Sequence, residues 1–330
     1  MNKSVALKTI EKKVESVNSW QELCKVFDFI KSLNLKFKNE KSSKNYTRFV
    51  VLIFVFLWLL SWFSMHQWSF STMKYFIFAL VGYLLFVNLY GWPFLKKAQN
   101  TKRLSDLISL KKVALDNDLA FVKGDRKKLL RNFENVFFIF HRGNYYRELA
   151  RHLGSKYKNK FIYHYFNFHY VDEHYSTSTD AKGNTTTDVT YCHYNLYVIV
   201  VPFSSKNFIK ISSYDRVSNF IKWKSASIYF NKKFKVYTDK EQAVALFLQP
   251  KVIEQIEELY EIFPELDIEI SPQGLLALST PDQQLLNYTR QYGVNELNLF
   301  KKEIKKVLDQ TKLHKALGFI NFLKDYHQHI

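Results

Sequence analysis

The sequence predicts an α+β protein in which an N-terminal two-helix transmembrane hairpin precedes a cytoplasmic mixed domain with antiparallel strands and amphipathic helices. Two long apolar stretches occupy 49–63 and 75–95, and the excess positive charge lies close to them in sequence. Farther along, 160–203 alternates and is rich in aromatic residues, and apolar residues recur every three to four positions in the later segments. Alternation is typical of strands, and the longer period is typical of amphipathic helices.

The two apolar stretches are long enough to cross a bilayer. Lys74 is the only formally charged residue from Phe49 to Leu95. A membrane-spanning helix needs about 20 apolar residues, with roughly 17 sufficient. The second stretch has that length, and the first reaches it by including 64–66. A buried hairpin of a soluble protein is the alternative. We therefore expect an integral membrane protein with two spans, for which the lipid bilayer is a partner.

The distribution of charge orients this hairpin. The net charge is +18, and 96–160 contributes +11 of it, with 17 Lys and Arg against 6 Asp and Glu, whereas 161–330 is neutral. Lys and Arg concentrate on the cytoplasmic flanks of membrane spans, and the loop 64–73 has no formal charge. We therefore expect a multi-pass protein of the cell (plasma or inner) membrane with both termini in the cytoplasm.

Basic residues that follow the hairpin are candidates for contact with anionic lipid headgroups, where each contributes on the order of 1 kcal/mol. These candidates are Lys96, Lys97, Arg126, Lys127, Lys128 and Arg131. A solvated helix face is the alternative interpretation. The sequence has no recognised nucleic-acid-binding motif, so nucleic acid is not an expected partner.

Five segments follow from these patterns. They are a cytoplasmic amphipathic helical segment at 1–48, the transmembrane hairpin at 49–95, a basic juxtamembrane helical region at 96–160, an α+β cytoplasmic domain at 161–285 and a C-terminal helix at 286–330. The only cysteines, Cys24 and Cys192, are too few and too far apart to indicate a disulfide framework, and they fit a reducing cytoplasm.

Helix signals mark several individual elements. Ser19-Trp20-Gln21-Glu22 has the spacing of a capping box at the start of a helix, and Pro250 suits the first turn of another. The segment 96–153 is mostly helical in pattern, with a break at Gly124-Asp125.

Strand signals begin at residue 160. The aromatic segment predicts a long hairpin whose polar connector is 176–188, and a further strand is expected at 225–230. The apolar residues Leu266, Ile268 and Ile270 alternate with Asp267 and Glu269, which predicts a half-buried strand.

One block of the chain resembles a known family. Within 234–280, a strand ends in Tyr-x-Asp, a short helix contains Ala, and Leu-x-Pro follows; the residues are Tyr237, Asp239, Ala243, Leu248 and Pro250. The block resembles bacterial membrane proteins that carry the domain of unknown function 3137, and the resemblance extends over about 45–285 of this chain. It implies a membrane protein with a cytoplasmic mixed domain, and it implies no activity.

The aromatic hairpin contains the candidate metal ligands. They are His164, His174, Cys192 and His193, because imidazole and thiolate are suitable zinc ligands. In a regular strand His164 and His174 share a face, while His169 points to the opposite face. No HExxH or paired CxxC pattern accompanies these residues, and His as filler in an aromatic strand is the alternative interpretation. We therefore predict neither a resident metal nor another cofactor.

Catalytic motifs are missing from the sequence. It contains no phosphate-binding glycine loop, no GxSxG and no kinase signature, and it has only 9 Gly. We therefore expect no catalytic residues and a non-enzymatic interaction or scaffold protein, anchored in the membrane, with an unknown protein partner. The alternative is a membrane-bound enzyme, metal-dependent or not, that uses the His-rich hairpin.

Overall fold

The computed structural model describes residues 3–35, 37, 50, 92–179, 183, 185–213, 219–286 and 288–327. The chain divides into two units, Met1–Leu115 with Tyr288–Val307 and Asp116–Asn287 with Leu308–Ile330. The described part of the first unit is helical, whereas the second contains a nine-stranded sheet and several helices. The structure is therefore α+β.

The described helices and strands have the following bounds. The helices are α1 (Lys3–Ser16), α2 (Trp20–Ser32), α3 (Trp92–Asp116), α4 (Arg126–Glu134), α5 (Ile228–Lys233), α6 (Glu241–Phe247), α7 (Pro250–Ile262), α8 (Leu297–Ile304) and α9 (Thr311–His327). The 3₁₀ turns are Phe138–His141, Gln283–Leu286 and Val294–Glu296. The strands are β1 (Ala120–Phe121), β2 (Tyr146–Tyr157), β3 (Phe161–Thr179), β4 (Thr185–Pro202), β5 (Ile209–Ser212), β6 (Ile221–Trp223), β7 (Lys235–Thr238), β8 (Asp267–Ser271) and β9 (Leu275–Thr280).

The predicted transmembrane architecture is not supported. In the part of the chain that the structure describes, no helix has the length and apolar character needed to cross a membrane. This finding overturns the predicted fold class with its membrane hairpin, the two-span contact with the bilayer and the multi-pass location at the cell membrane. Most of the hairpin, 51–91, lies outside the described residues. The end of the second stretch, Trp92–Leu95, forms the first turn of α3, which continues into a segment with many Lys and Arg residues.

Helices α1 and α2 bury the apolar stripe that the sequence predicts. The core of the first unit consists of Ile10, Val14, Val17, Leu23, Val26, Phe27, Ile30, Leu104, Ile108, Val294, Phe300 and Ile304. The predicted start of α2 is confirmed, because the Ser19 hydroxyl caps it by accepting from the amide N–H of Glu22 at 3.3 Å. The Glu22 carboxylate accepts in return from the amide N–H of Asn18 at 2.7 Å, one residue before the expected partner.

The antiparallel sheet of the second unit has the strand order β1-β2-β3-β4-β9-β8-β5-β7-β6. The predicted aromatic hairpin is confirmed as β3 and β4, but its strands are longer than predicted: they pair from His164↔Val200 to Thr179↔Thr185 and include 176–179 and 185–188 of the predicted connector. Helix α4 and the turn Phe138–His141 cover one face of β2, β3 and β4 and complete a core rich in aromatic residues. Its buried members are Leu130, Phe133, Phe137, Ile139, Phe140, Leu149, Phe166, Phe168, Tyr170, Leu196, Val198, Val200 and Ala277.

Two further predictions of secondary structure are wrong. Strand β2 lies in a segment whose pattern predicts helix as far as Leu153, because pairing with β3 along its length overrides the local propensity. Helix α5 begins within the strand expected at 225–230, since the Ser227 hydroxyl accepts from the amide N–H of Phe230 at 3.1 Å and caps a helical turn.

Strand β8 has the predicted position but not the predicted exposure. All five of its residues are buried, including Asp267 and Glu269. The Glu269 carboxylate accepts from the amide N–H groups of Phe138 at 2.6 Å and Ile139 at 3.0 Å. These amides begin a 3₁₀ turn and have no partner within it, so a carboxylate from the sheet supplies their cap.

The two acids of β8 are each balanced by a cation. The Asp267 carboxylate forms an ion pair with Arg142, directly after the capped turn. The ammonium group of Lys210 on β5 lies 4.0 Å from the Glu269 carboxylate, and both side chains are buried. Burial raises the pKa of Glu269, while Lys210 and the two amides of the turn act in the opposite direction. The acids therefore fasten the segment 138–142 to the sheet.

Candidate functional site

Strands β3 and β4 extend beyond the strands on either side of them in the sheet. Pairing of β2 with β3 ends at Tyr146↔Val171, and β9 pairs with β4 only from Tyr197 onward. Among the described residues, 172–179 and 185–192 therefore pair only with each other, and together they form the arm. Thr and Tyr favour strands, but most of the arm is polar and exposed. The arm is consequently a two-stranded ribbon with both faces open to solvent.

A short loop before β2 holds the base of the arm. The side-chain amide of Asn144 donates to the Glu173 carbonyl oxygen at 3.0 Å and accepts from the Glu173 amide N–H at 2.7 Å. These two bonds imitate a backbone bridge to β3. Gly143 precedes the clamp with φ of +87°, and an added Cβ would lie 2.8 Å from the Cβ of Tyr170. A glycine is therefore required where the loop turns against the strand.

One face of the arm and its base displays several large side chains. We call it the aromatic face, and it consists of Tyr145, Tyr146, His169, Tyr175, Val189, Tyr191 and His193. Tyr145, Tyr175 and Tyr191 are 60%, 65% and 46% exposed. The rings of Tyr145 and Tyr191 lie 4.8 Å apart between centroids. Contiguous exposed apolar surface of this kind marks interaction sites in soluble domains.

Carboxylates lie among these tyrosines and bind their hydroxyl groups. The Tyr146 hydroxyl donates to Glu148 at 3.0 Å, and the Tyr175 hydroxyl donates to Glu173 at 2.7 Å. Hydrogen bonding to Glu173 raises the pKa of Tyr191 to about 12, with smaller contributions from burial and from the charge of the same carboxylate. The phenols therefore remain protonated at neutral pH, and the aromatic face combines rings with negative charge.

Two histidines of the aromatic face lie side by side. Nε2 of His169 and Nδ1 of His193 are 3.4 Å apart, and the two ring planes differ by 16°. His169 is half-buried and His193 is exposed. The strand register explains this pairing, because Val171 opposes His193 and Asn195 opposes His169, which makes the two histidines diagonal neighbours on one face.

A second histidine pair lies on the opposite face of the sheet, on β2 and β3. Nε2 of His152 on β2 and Nδ1 of His164 on β3 are 3.0 Å apart, and the His152 ring stacks on Phe166 with 4.4 Å between centroids. Burial lowers the pKa of His152, and together with smaller effects of the charges of His164 and Arg126 it brings this pKa to about 4. Burial also lowers the pKa of His164. One neutral ring therefore donates to the other at neutral pH.

The four predicted metal ligands do not converge. His164 and His174 share a face but are ten residues apart on β3, a separation of about 33 Å along a strand. Cys192 opposes Asp172, and His193 points to the other face. Among the described residues, no group of three or more His, Cys, Asp or Glu side chains could hold a metal ion. Sequence reasoning missed His152, and it placed His169 on the face opposite His164 and His174 without pairing it with His193, because both pairings depend on the strand register.

The six predicted lipid contacts lie on two helices. Lys96 and Lys97 are exposed on α3, and Arg126, Lys127, Lys128 and Arg131 are exposed on α4. Asp125 caps α4 by accepting from the amide N–H groups of Lys127 and Lys128. The Arg126 guanidinium donates to the Ala150 carbonyl oxygen. That these residues contact anionic lipid stays a prediction.

Comparisons with known proteins add no assignment. No family model, no curated protein and no solved structure matches this chain. The resemblance to the family with the domain of unknown function 3137 therefore stays a prediction from sequence.

Proposed function

We propose that this protein is a non-enzymatic interaction protein that binds a partner protein rich in Lys and Arg through the aromatic face of its arm. The observation that carries this proposal is the set of exposed tyrosines on one side of a projecting ribbon. Tyrosine offers a large contact area with little loss of conformational entropy, and it is enriched in protein interfaces.

The charge of the arm supports a basic partner. Lys182 is the only Lys or Arg in 161–205, whereas Asp172, Glu173 and Asp188 lie in the arm itself. Glu148 and Glu173 lie beside exposed phenol rings on the aromatic face. A guanidinium or ammonium group can contact a ring face and a carboxylate together, by a cation–π interaction and an ion pair.

The buried charged groups of the second unit support a structural use rather than a catalytic one. Glu269, Asp267, Lys210 and Arg142 compensate one another and hold a turn against the sheet. The alternative, an enzyme that uses the His-rich hairpin, has less support because the four residues expected to act there lie on different faces or far apart along the strands.

The test is a titration of the full chain with an Arg- and Lys-rich peptide and with an acidic peptide of equal length, followed by calorimetry at low and high salt. We expect the basic peptide to bind and the acidic peptide not to bind. Changing Tyr175 and Tyr191 together to Ser should weaken binding by about tenfold or more, since central aromatic residues dominate interface energies.

Tyr229→Ser is the matched control for that titration. Tyr229 is 44% exposed, and its hydroxyl donates to Glu261 at 2.6 Å, so it reproduces a phenol–carboxylate pair away from the arm. Equal binding of both peptides, or an equal loss of binding in the control, would contradict the proposal. Dimerisation of the free protein that the arm substitutions abolish would instead identify a second copy of the chain as the occupant.

A further inference from the structure

We propose that His169 and His193 form a binding site for a first-row transition-metal ion, Cu²⁺ or Zn²⁺, on the aromatic face. This inference goes beyond the proposed function and does not depend on a protein partner. It rests on the geometry of two imidazoles that the sheet brings together from adjacent strands.

The distance between the two rings suits joint coordination. Zinc–imidazole bonds of about 2.0–2.1 Å in tetrahedral geometry place two ligand nitrogens about 3.3 Å apart. Nε2 of His169 and Nδ1 of His193 are 3.4 Å apart. The torsion χ2 of His is broad, so a modest rotation of the two rings directs both lone pairs to one point without a backbone change.

The backbone beneath this pair is well supported. His169 opposes Glu148 across β2 and β3, and it opposes Asn195 across β3 and β4, so three strands hold the site. The Asn144 clamp lies at the same end of β2. The two ligands are therefore preorganised, which reduces the entropy that chelation must overcome.

The surroundings of this pair suit a cation better than those of the other histidine pair. Glu148 is the cross-strand neighbour of His169 and contributes a negative charge. The nitrogens of His152 and His164 are closer, at 3.0 Å, but the Arg126 charge acts on that pair. A guanidinium whose charge acts on the His152 ring disfavours a divalent ion there. We therefore expect metal at His169 and His193 and none at His152 and His164.

The metal preference follows from the ligand set. Two imidazoles leave the remaining coordination positions to water, so the site is open and its affinity is moderate. Divalent affinities for nitrogen ligands rise to Cu²⁺ and then fall at Zn²⁺. Neutral imidazole is required for binding, so protons compete with the metal and the affinity falls with falling pH.

The experiment is a calorimetric titration of the full chain with Cu²⁺ and, separately, with Zn²⁺ at pH 7.5. We expect one equivalent of Cu²⁺ to bind more tightly than Zn²⁺. Either His169→Gln or His193→Gln should weaken Cu²⁺ binding by about 100-fold, because each removes the intramolecular second contact. The electron paramagnetic resonance spectrum of the Cu²⁺ complex should show two coordinated nitrogens in the wild type and one in each variant.

His174→Gln and His152→Gln are the matched controls. His174 is an exposed arm histidine on the opposite face, and His152 belongs to the half-buried pair. Neither substitution should change the Cu²⁺ affinity more than about twofold, since neither removes a contact of the chelate.

Unchanged binding in the His169→Gln and His193→Gln variants would overturn the site. An equal loss in His174→Gln would do the same, because it would indicate non-specific binding to surface histidines. Circular dichroism verifies that each variant retains the fold.

Discussion

Strand β8 and the arm are both β structure, whose residues alternate between two faces, and they lie in opposite environments. In β8 the acids Asp267 and Glu269 are buried, whereas in the arm the large side chains of Tyr175 and Tyr191 are exposed. The difference comes from what covers each strand. β8 has strands on both sides and the segment 138–142 fastened to its acids, while the arm has neither a third strand nor a covering helix among the described residues. Alternation therefore identifies a strand and its two faces, but it does not say which face meets solvent.

The largest expected effect is at β8. Glu269→Ala removes the carboxylate that caps the turn 138–141 and leaves the buried Lys210 without that counter-charge, so we expect a loss of about 3–5 kcal/mol in the free energy of unfolding. Urea denaturation measures it. Tyr175→Ala in the arm is the comparison, with an expected change within about 0.5 kcal/mol because the side chain is exposed. Similar losses in both variants would break the contrast between the two regions.

The half-buried histidine pair should make stability depend on pH. The pKa of His152 is lowered from 6.5 to about 4, so the unfolded ring takes up a proton at a pH where the folded ring does not. The contribution of this pKa difference to the free energy of unfolding is therefore fully present above about pH 6.5 and is lost as the pH drops toward 4. For a ring that is only half-buried, we expect a contribution of about 1–2 kcal/mol.

That pH effect can be isolated with one substitution. Urea midpoints measured at pH 4.5 and pH 7.5 in the wild type and in His152→Gln give the difference directly. We expect the variant to lose less stability on acidification than the wild type. His174→Gln, which removes an exposed histidine from the same strand, should follow the wild type. An equal change in urea midpoint between the two pH values in all three proteins would show that His152 is not the source of the pH dependence.

The smallest expected effect on global stability is at the base of the arm, where the loss stays local. Asn144→Ala removes two hydrogen bonds to the backbone of Glu173, each with a net value of about 0.5–1.5 kcal/mol. The arm has no other flanking strand in the described structure, so the loss should appear as local opening. Amide hydrogen exchange of 174–179 and 185–190 should accelerate by about tenfold, while exchange in β8 stays unchanged. Acceleration in both regions would mean that the arm and the sheet open as one unit.

Local signals in the sequence predicted several elements correctly. The Ser19 cap and the proline at the start of α7 act within one turn of backbone, so neighbouring residues were sufficient to identify them. The hairpin of β3 and β4 was recognisable because its strand pattern lies on both sides of a polar connector. In contrast, β2 has a helical pattern and becomes a strand only because β3 is available to pair with it.

The sequence by itself determined where the strands of the aromatic hairpin lie, the local excess of negative charge in it and the presence of histidines that could bind metal. Only the tertiary structure decided the cross-strand register, which brings His169 to His193. Only the tertiary structure could also show that Asp267 and Glu269 are buried, because their partners Arg142, Phe138 and Lys210 come from distant parts of the chain. The physical reason is the same in both cases. Hydrophobic periodicity and secondary-structure propensity reflect interactions between residues close in sequence, whereas strand register and burial depend on long-range packing.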